Sequence, residues 1–409
     1  MWGKTWRTGE GFCIAGGLLF IGLVLQLCVG NINWDNFAWP LNLYILVIYL
    51  ALLVILYTLR QRIYFVRWSM SYNAALPALA FVVIMTFMMG LIRQVPATSS
   101  SADVFGFSKM ISCWPFVLLY WWMTTILGLI SIKHLCTFKL SKVPFLCNHL
   151  GLFIALLCGV LGSADMQRLK MHTQVGKAEW RAIDESGDVH ELPLAVELID
   201  FMIDEYPPKL MLIDNSTGAV LPANKPEHLL VEDDVTEGQL CGWNIKIIDK
   251  LDKAASVVES DSVKFVEWQS VGAASAVCVE ALSPDKEKVV RGWVSCGSFA
   301  FPYHAMRLDS LCSLIMPDRE PRRYTSLVKI YTQSEKEIET EIEVNKPVEV
   351  DGWKIYQLSY DETKGRWSDI SVFELVTDVW LEWVYTGIIL MIIGAISMFI
   401  MSHKVVKEE

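Results

Sequence analysis

Residues 144–163 read PFLCNHLGLFIALLCGVLGS, an apolar run of twenty residues with one imidazole, His149, a quarter of the way in. At about 1.5 Å rise per residue, a helix of this length just crosses a hydrocarbon core of about 30 Å. His149 then lies about 8 Å inside the first end of the span. An ionisable side chain at that depth is costly and has to face a partner, a cavity or a ligand. Almost everything before this run is apolar, and almost everything after it is polar. The chain must therefore join a membrane bundle to a water-facing domain.

Six stretches are long and apolar enough to span, at residues 11–32, 41–59, 74–92, 112–132, 144–163 and 384–401. The first, preceded by Lys4 and Arg7, is too long for a signal-peptide core and lacks a small-residue cleavage site, so it reads as a retained helix. Short-loop Lys and Arg gather at four places: Lys4 and Arg7; Arg60, Arg62 and Arg67; Lys133, Lys139 and Lys142; and Lys404 and Lys407. All four fall on one side if both termini are cytoplasmic, as the positive-inside rule requires. The expected fold is an integral membrane α-helical bundle of six spans plus a β-rich extracytoplasmic domain. Its parts are residues 1–163 with five helices, the outer domain at 164–383, and the sixth helix with a short cytoplasmic tail at 384–409.

Residues 164–383 hold 40 acidic against 23 basic residues, a net charge of −17. That sign argues against a nucleic-acid partner. Ile338, Thr340, Ile342 and Val344 alternate with acidic residues as in a half-buried strand. Asp351-Gly352 is hairpin-turn chemistry, followed by WKIYQLSY as the next strand. Residues 326–331 and 371–376 read as further strands. Leu194, Val196 and Leu198 alternate within PLAVELIDF, which favours strand there too.

His149 has two readings. A neutral imidazole in an apolar pocket is a strong axial ligand for haem iron, and a packing histidine bonded to a neighbouring helix is the alternative. His134, beside Lys133 at the end of span four, reads as a solvated loop residue. His172, His190, His228 and His304 have no ligand spacing. Cys241, Cys278, Cys296 and Cys312 form no CxxC, which leaves one or two structural disulfides or four reduced, buried thiols. The Trp121-Trp122 pair is either helix packing or the wall of a flat-ligand site. No phosphate loop, nucleophile elbow or paired-carboxylate site is present.

Three stretches resemble the ResB (CcsB) family, the membrane subunit of System II cytochrome c maturation. They are NHLGLFIALLCGVLGSAD at 148–165, ELPLAVELIDFMIDEYPPK at 191–209, and VNKPVEVDGWKIYQLSYDETKGRWSDISVFELVTDVWLEWVYTG at 344–387. Val379 stands where the family commonly has proline, and two additional N-terminal spans precede the usual set. The resemblance implies a multi-pass protein of the cytoplasmic (inner) membrane, bathed by membrane lipids, that passes haem outwards to apocytochrome c. It implies non-covalent haem b in transit, with His149 as the iron ligand on its path. It also implies a haem-handling partner of the CcsA/ResC type bearing a WWD motif, which this chain lacks. The chain is then not a cytochrome c synthetase alone but a subunit of one. A membrane-anchored sensor or receptor with an outer ligand-binding domain and no cofactor is the rival expectation.

Overall fold

Each apolar stretch becomes a helix in the computed structural model, which describes residues 5–96, 99, 103–259 and 262–406. Lys4 and Lys407, two of the basic loop residues, lie outside the described residues. The helices are α1 (Thr8–Val29), α2 (Leu41–Leu59), the short α3 (Tyr64–Ser69), α4 (Tyr72–Leu91), α5 (Trp114–Cys136), α6 (Val143–Gly162) and α7 (Leu381–Val406). All but α3 are long and apolar enough to cross a membrane. The chain divides into two compact units, residues 1–167 with 377–409, and residues 168–376.

In the helical unit α5 is central. One side of it packs on α1 and α4 through Leu119, Ala15, Val82 and Met85, and another packs on α2 and α6 through Leu127, Leu53 and Phe153. Small residues set the closest approaches, as expected where packing rather than water drives helix association. A Cβ on Gly151 of α6 would stand 2.5 Å from the Gly387 carbonyl of α7, and one on Gly387 would meet the Gly151 carbonyl at the same distance. A Cβ on Gly394 would stand 2.8 Å from the Pro144 carbonyl and from Asn148 Cγ. The 144, 148, 151 edge of α6 is therefore given to α7, and His149 points off a different face.

The strands, in chain order, are β1 (Gln167–Gln174), β2 (Ala178–Ile183), β3 (Val189–Glu205), β4 (Lys209–Asp214), β5 (Val220–Leu221), β6 (Leu229–Leu230), β7 (Glu237–Leu240), β8 (Trp243–Glu259), β9 (Ser262–Glu267), β10 (Ala274–Leu282), β11 (Val289–Ser295), β12 (Met306–Arg307), β13 (Cys312–Ile315), β14 (Pro321–Thr332), β15 (Glu337–Glu343), β16 (Val348–Val350), β17 (Trp353–Tyr360) and β18 (Ile370–Thr377). The expected strands are all present, including PLAVELIDF inside β3. One sheet has eight strands in the order β15-β14-β3-β2-β1-β18-β17-β16. It curls on itself. Ser326 of β14 hydrogen-bonds Gln357 of β17 at 2.6 Å and Ser371 of β18 at 2.7 Å, although several strands separate them along the sheet. Leu169, Val196, Val328, Ile342, Ile355 and Phe373 fill the inside, one face of each alternating strand.

Two hairpins turn on two residues of positive φ, the pattern that matches strand twist. Asp351 and Gly352 join β16 to β17 at φ 48° and 81°, as their sequence predicts. Cys241 and Gly242 join β7 to β8 at 46° and 86°. The remaining strands form a β11-β10-β8-β7 sheet with β9 on β8, and a β12-β13-β4-β5 sheet with β6 on β4. Leu210, Leu240, Ile245, Val279 and Leu314 make the core they share.

Candidate functional site

Pro144 stands in the first turn of α6, where a missing N–H costs nothing, and His149 follows in the second turn. The imidazole is half-buried, with Nδ1 2.9 Å from the Phe145 carbonyl one turn back. A carbonyl only accepts, so Nδ1 donates to it and the neutral ring keeps its lone pair on Nε2. A backbone acceptor behind one ring nitrogen is how metal-ligating histidines fix their tautomer. The Phe145 ring stacks on the imidazole with centroids 3.7 Å apart and planes at 23°. These residues fit a haem ligand: the donor is the right type, oriented and in apolar surroundings. The same hydrogen bond also serves the packing alternative.

His134 is not a loop residue. α5 continues to Cys136, so His134 sits in its last turn beside Lys133, where positive charge suits the helix dipole. Its ring lies 4.6 Å from the other partner of His149, Phe145, at 56°. Its Nδ1 is buried without a hydrogen-bond partner among the described residues. The sequence reading missed this pair. The available signal was the short connection between spans four and five, which folds their basic ends together.

The Trp121-Trp122 pair divides. Trp121 packs on Tyr49 at 4.2 Å, and Trp122 stacks on Phe65 at 5.6 Å and 18°. Trp121 also walls a crevice of about 460 Å³ with Trp34, Phe37, Trp114 and Tyr120. A second, apolar groove of about 890 Å³ is lined by Leu46, Phe153, Leu157 and Trp380, with Asp165 also in its wall. His149 lines neither; its neighbour Leu150 lines the larger. No cluster of three His, Cys, Asp or Glu side chains suited to a metal ion occurs among the described residues.

In the β unit, His190 bonds Asp184 at 2.8 Å and His304 faces Phe265, with burial lowering the latter's pKa. Cys241, Cys278, Cys296 and Cys312 are unpaired. Burial raises the Cys296 thiol above its usual range and pushes Cys312 up to about 11, with Asp309 adding to the second shift. Cys296 lines a pocket of about 500 Å³ walled by Phe299, Tyr303, Tyr360 and Trp367. On that wall Glu205 bridges Arg319 at 3.3 Å and Arg366 at 3.4 Å.

No curated protein matches the chain. The model of the ResB-like family matches residues 287–369, from the approach to β11 through β17, a segment that includes most of the pocket lining. Over that segment the chain is ResB-like; the match overlaps the resemblance read at residues 344–387 over 344–369, whereas the stretches at 148–165 and 191–209 lie outside it.

Proposed function

We propose that this chain is the haem-handling subunit of a cytochrome c biogenesis complex in the inner membrane. The ResB-like segment supports the class, and the His149 imidazole, with its Nδ1 tied to the Phe145 carbonyl, is the observation that carries the haem role. In this reading both termini are cytoplasmic, and residues 168–376 face outwards to position apocytochrome c. His149 holds the iron of non-covalent haem b through Nε2. The Phe145 carbonyl keeps the proton on Nδ1, and the Phe145 ring stacked on the imidazole covers one of its faces. The bound haem supplies the vinyl groups that form thioethers with the cysteines of a CxxCH peptide. The chain works with a WWD-bearing membrane partner.

The test is haem content. His149→Ala should reach the membrane normally but lose most bound haem and its visible spectrum, and added imidazole should restore part of both. Unchanged haem content in that variant would return His149 to a packing role. The pocket beside Glu205 and Arg319 favours the second reading, a membrane-anchored receptor. A receptor needs no haem, so purification without any b-type haem under haem-replete growth would favour it.

A further inference from the structure

We propose that the pocket in the β unit walled by Glu205, Arg319 and the aromatic loop before β12 binds a carboxylate joined to an aromatic or aliphatic body. All its lining residues belong to the unit of residues 168–376. The inference supplies the ligand class that the receptor reading leaves open, and it holds whether or not the chain also carries haem. The charged part of the wall comes from three elements. Glu205 ends β3, Arg319 lies between β13 and β14, and Arg366 lies in the turn after β17. Both guanidiniums reach the one carboxylate, and the three side chains are only 17–22% exposed. Two fixed positive charges against one negative leave this little-exposed trio short of one anion, and charges held away from water call for pairing. At the rim Lys364 is paired with Asp369, while Asp318 and Glu362 are exposed to water.

The two arginines are not equivalent. Arg366 is used by the fold: Nη1 reaches Glu205, and Nη2 donates to the Ala273 carbonyl at 3.0 Å and the Asp252 carbonyl at 3.4 Å. Arg319 is held through Nε alone, by the Tyr206 carbonyl at 3.1 Å and Glu205 at 3.3 Å. Among the described residues its two terminal nitrogens have no acceptor. A guanidinium fixed at Nε and open at Nη1 and Nη2 is a fork that a carboxylate fits with both oxygens. The body of the ligand has an aromatic wall to meet. Phe299 and Tyr303 are half exposed on the loop between β11 and β12, and Tyr360 and Trp367 line the same pocket. That loop is fixed before any ligand arrives. Gly297 takes φ 72°, and a Cβ there would stand 2.6 Å from the Tyr303 nitrogen. Ser298 Oγ donates to the Gly272 carbonyl and accepts from the Ala300 and Phe301 N–H groups, both at 3.2 Å. Rings already in place cost little ordering and gain by being covered. At about 500 Å³ the pocket is of small-ligand size.

The test titrates the purified full-length chain in detergent with hydrocinnamate by calorimetry, the detergent blank subtracted. Saturable binding is expected, and hydrocinnamide, similar in shape but uncharged, should bind at least about tenfold more weakly. Arg319→Gln should weaken hydrocinnamate binding about ten- to a hundredfold, and Arg319→Lys, which keeps the charge but not the fork, should weaken it less. Glu205→Gln carries a sign that a purely structural role would not give. With the competing negative charge gone, the arginines should hold hydrocinnamate severalfold tighter. Acetylphenylalanine and acetyl-Gly-Gly-Phe separate the two sources of this chemistry: equal affinities assign a free acid, and a much tighter tripeptide assigns the end of a peptide. No saturable binding of hydrocinnamate, equal binding of acid and amide, or binding no tighter in Glu205→Gln would overturn the proposal. Haem content is measured separately on the same wild-type preparation, so this site and the haem reading fail independently.

Discussion

Asp165 shows how much one side chain organises. Its carboxylate accepts from the Trp39 backbone N–H, from Asn42 Nδ2 and from Trp380 Nε1, each at 2.6 Å, and so ties the start of α2, the end of α6 and the approach to α7. Asp165→Ala would remove an acceptor from three donors, although Asn42 Nδ2 keeps its 3.0 Å bond to the Leu161 carbonyl and the exposed Trp39 N–H can turn to water. At about 1–3 kcal/mol for each fully buried one, and with this site only partly buried, a loss of about 2–4 kcal/mol is expected. Thermal unfolding in detergent checks it, and Asp165→Asn should lose less. The outer thiols behave differently. Burial keeps Cys241, Cys296 and Cys312 protonated near neutral pH, and only the thiolate attacks. Replacing them and Cys278 by Ala should lower stability without stopping cytochrome c maturation. A single replacement that stopped maturation at normal protein levels would show a catalytic thiol.

At the scale of elements, the α6–α7 contact depends on two glycines facing each other. Gly387→Val puts two methyl groups where the Gly151 carbonyl already lies, and overpacking of this kind costs about 1–3 kcal/mol. A Cβ on Gly159, in the same helix α6, meets nothing within 4 Å, so Gly159→Ala should be close to neutral. Comparing the melting temperatures of the two variants separates helix packing from glycine propensity. Equal melting temperatures would mean that α7 does not need this approach. Helix existence and strand alternation were legible in sequence because they come from local hydropathy and period. The last turn of α5 was not, since Lys133 and His134 are polar and hide the helical continuation to Cys136.

For the whole molecule, the basic loops predict which side each segment occupies. Asn215, Glu335, Arg62 and Lys139 are all exposed, so cysteines placed there report the side of the membrane rather than burial. A membrane-impermeant thiol reagent added outside should label the first two positions and miss the last two. Labelling at position 62 would reverse the assignment. The proposed dependence on a partner belongs to this scale too. In cells lacking other maturation systems, the chain expressed alone should make no holocytochrome c, and co-expression with a WWD-bearing partner should restore it.

The sequence by itself determined six spans, the polar domain that follows the fifth, and the Asp351-Gly352 turn, because each is written in neighbouring residues: runs of apolar side chains, charge in short loops, and positive-φ chemistry. Candidate His149 was legible for the same reason, as an imidazole alone in an apolar run. Only the tertiary structure decided its surroundings. The contact of His134 with Phe145 joins two helices, and the bonds of Asp165 join residues 123 and 215 positions away. The curl that brings Ser326 to Gln357 likewise depends on strands folding across one shared core. Such contacts arise from packing distant segments together, and local composition carries no record of which distant segment arrives.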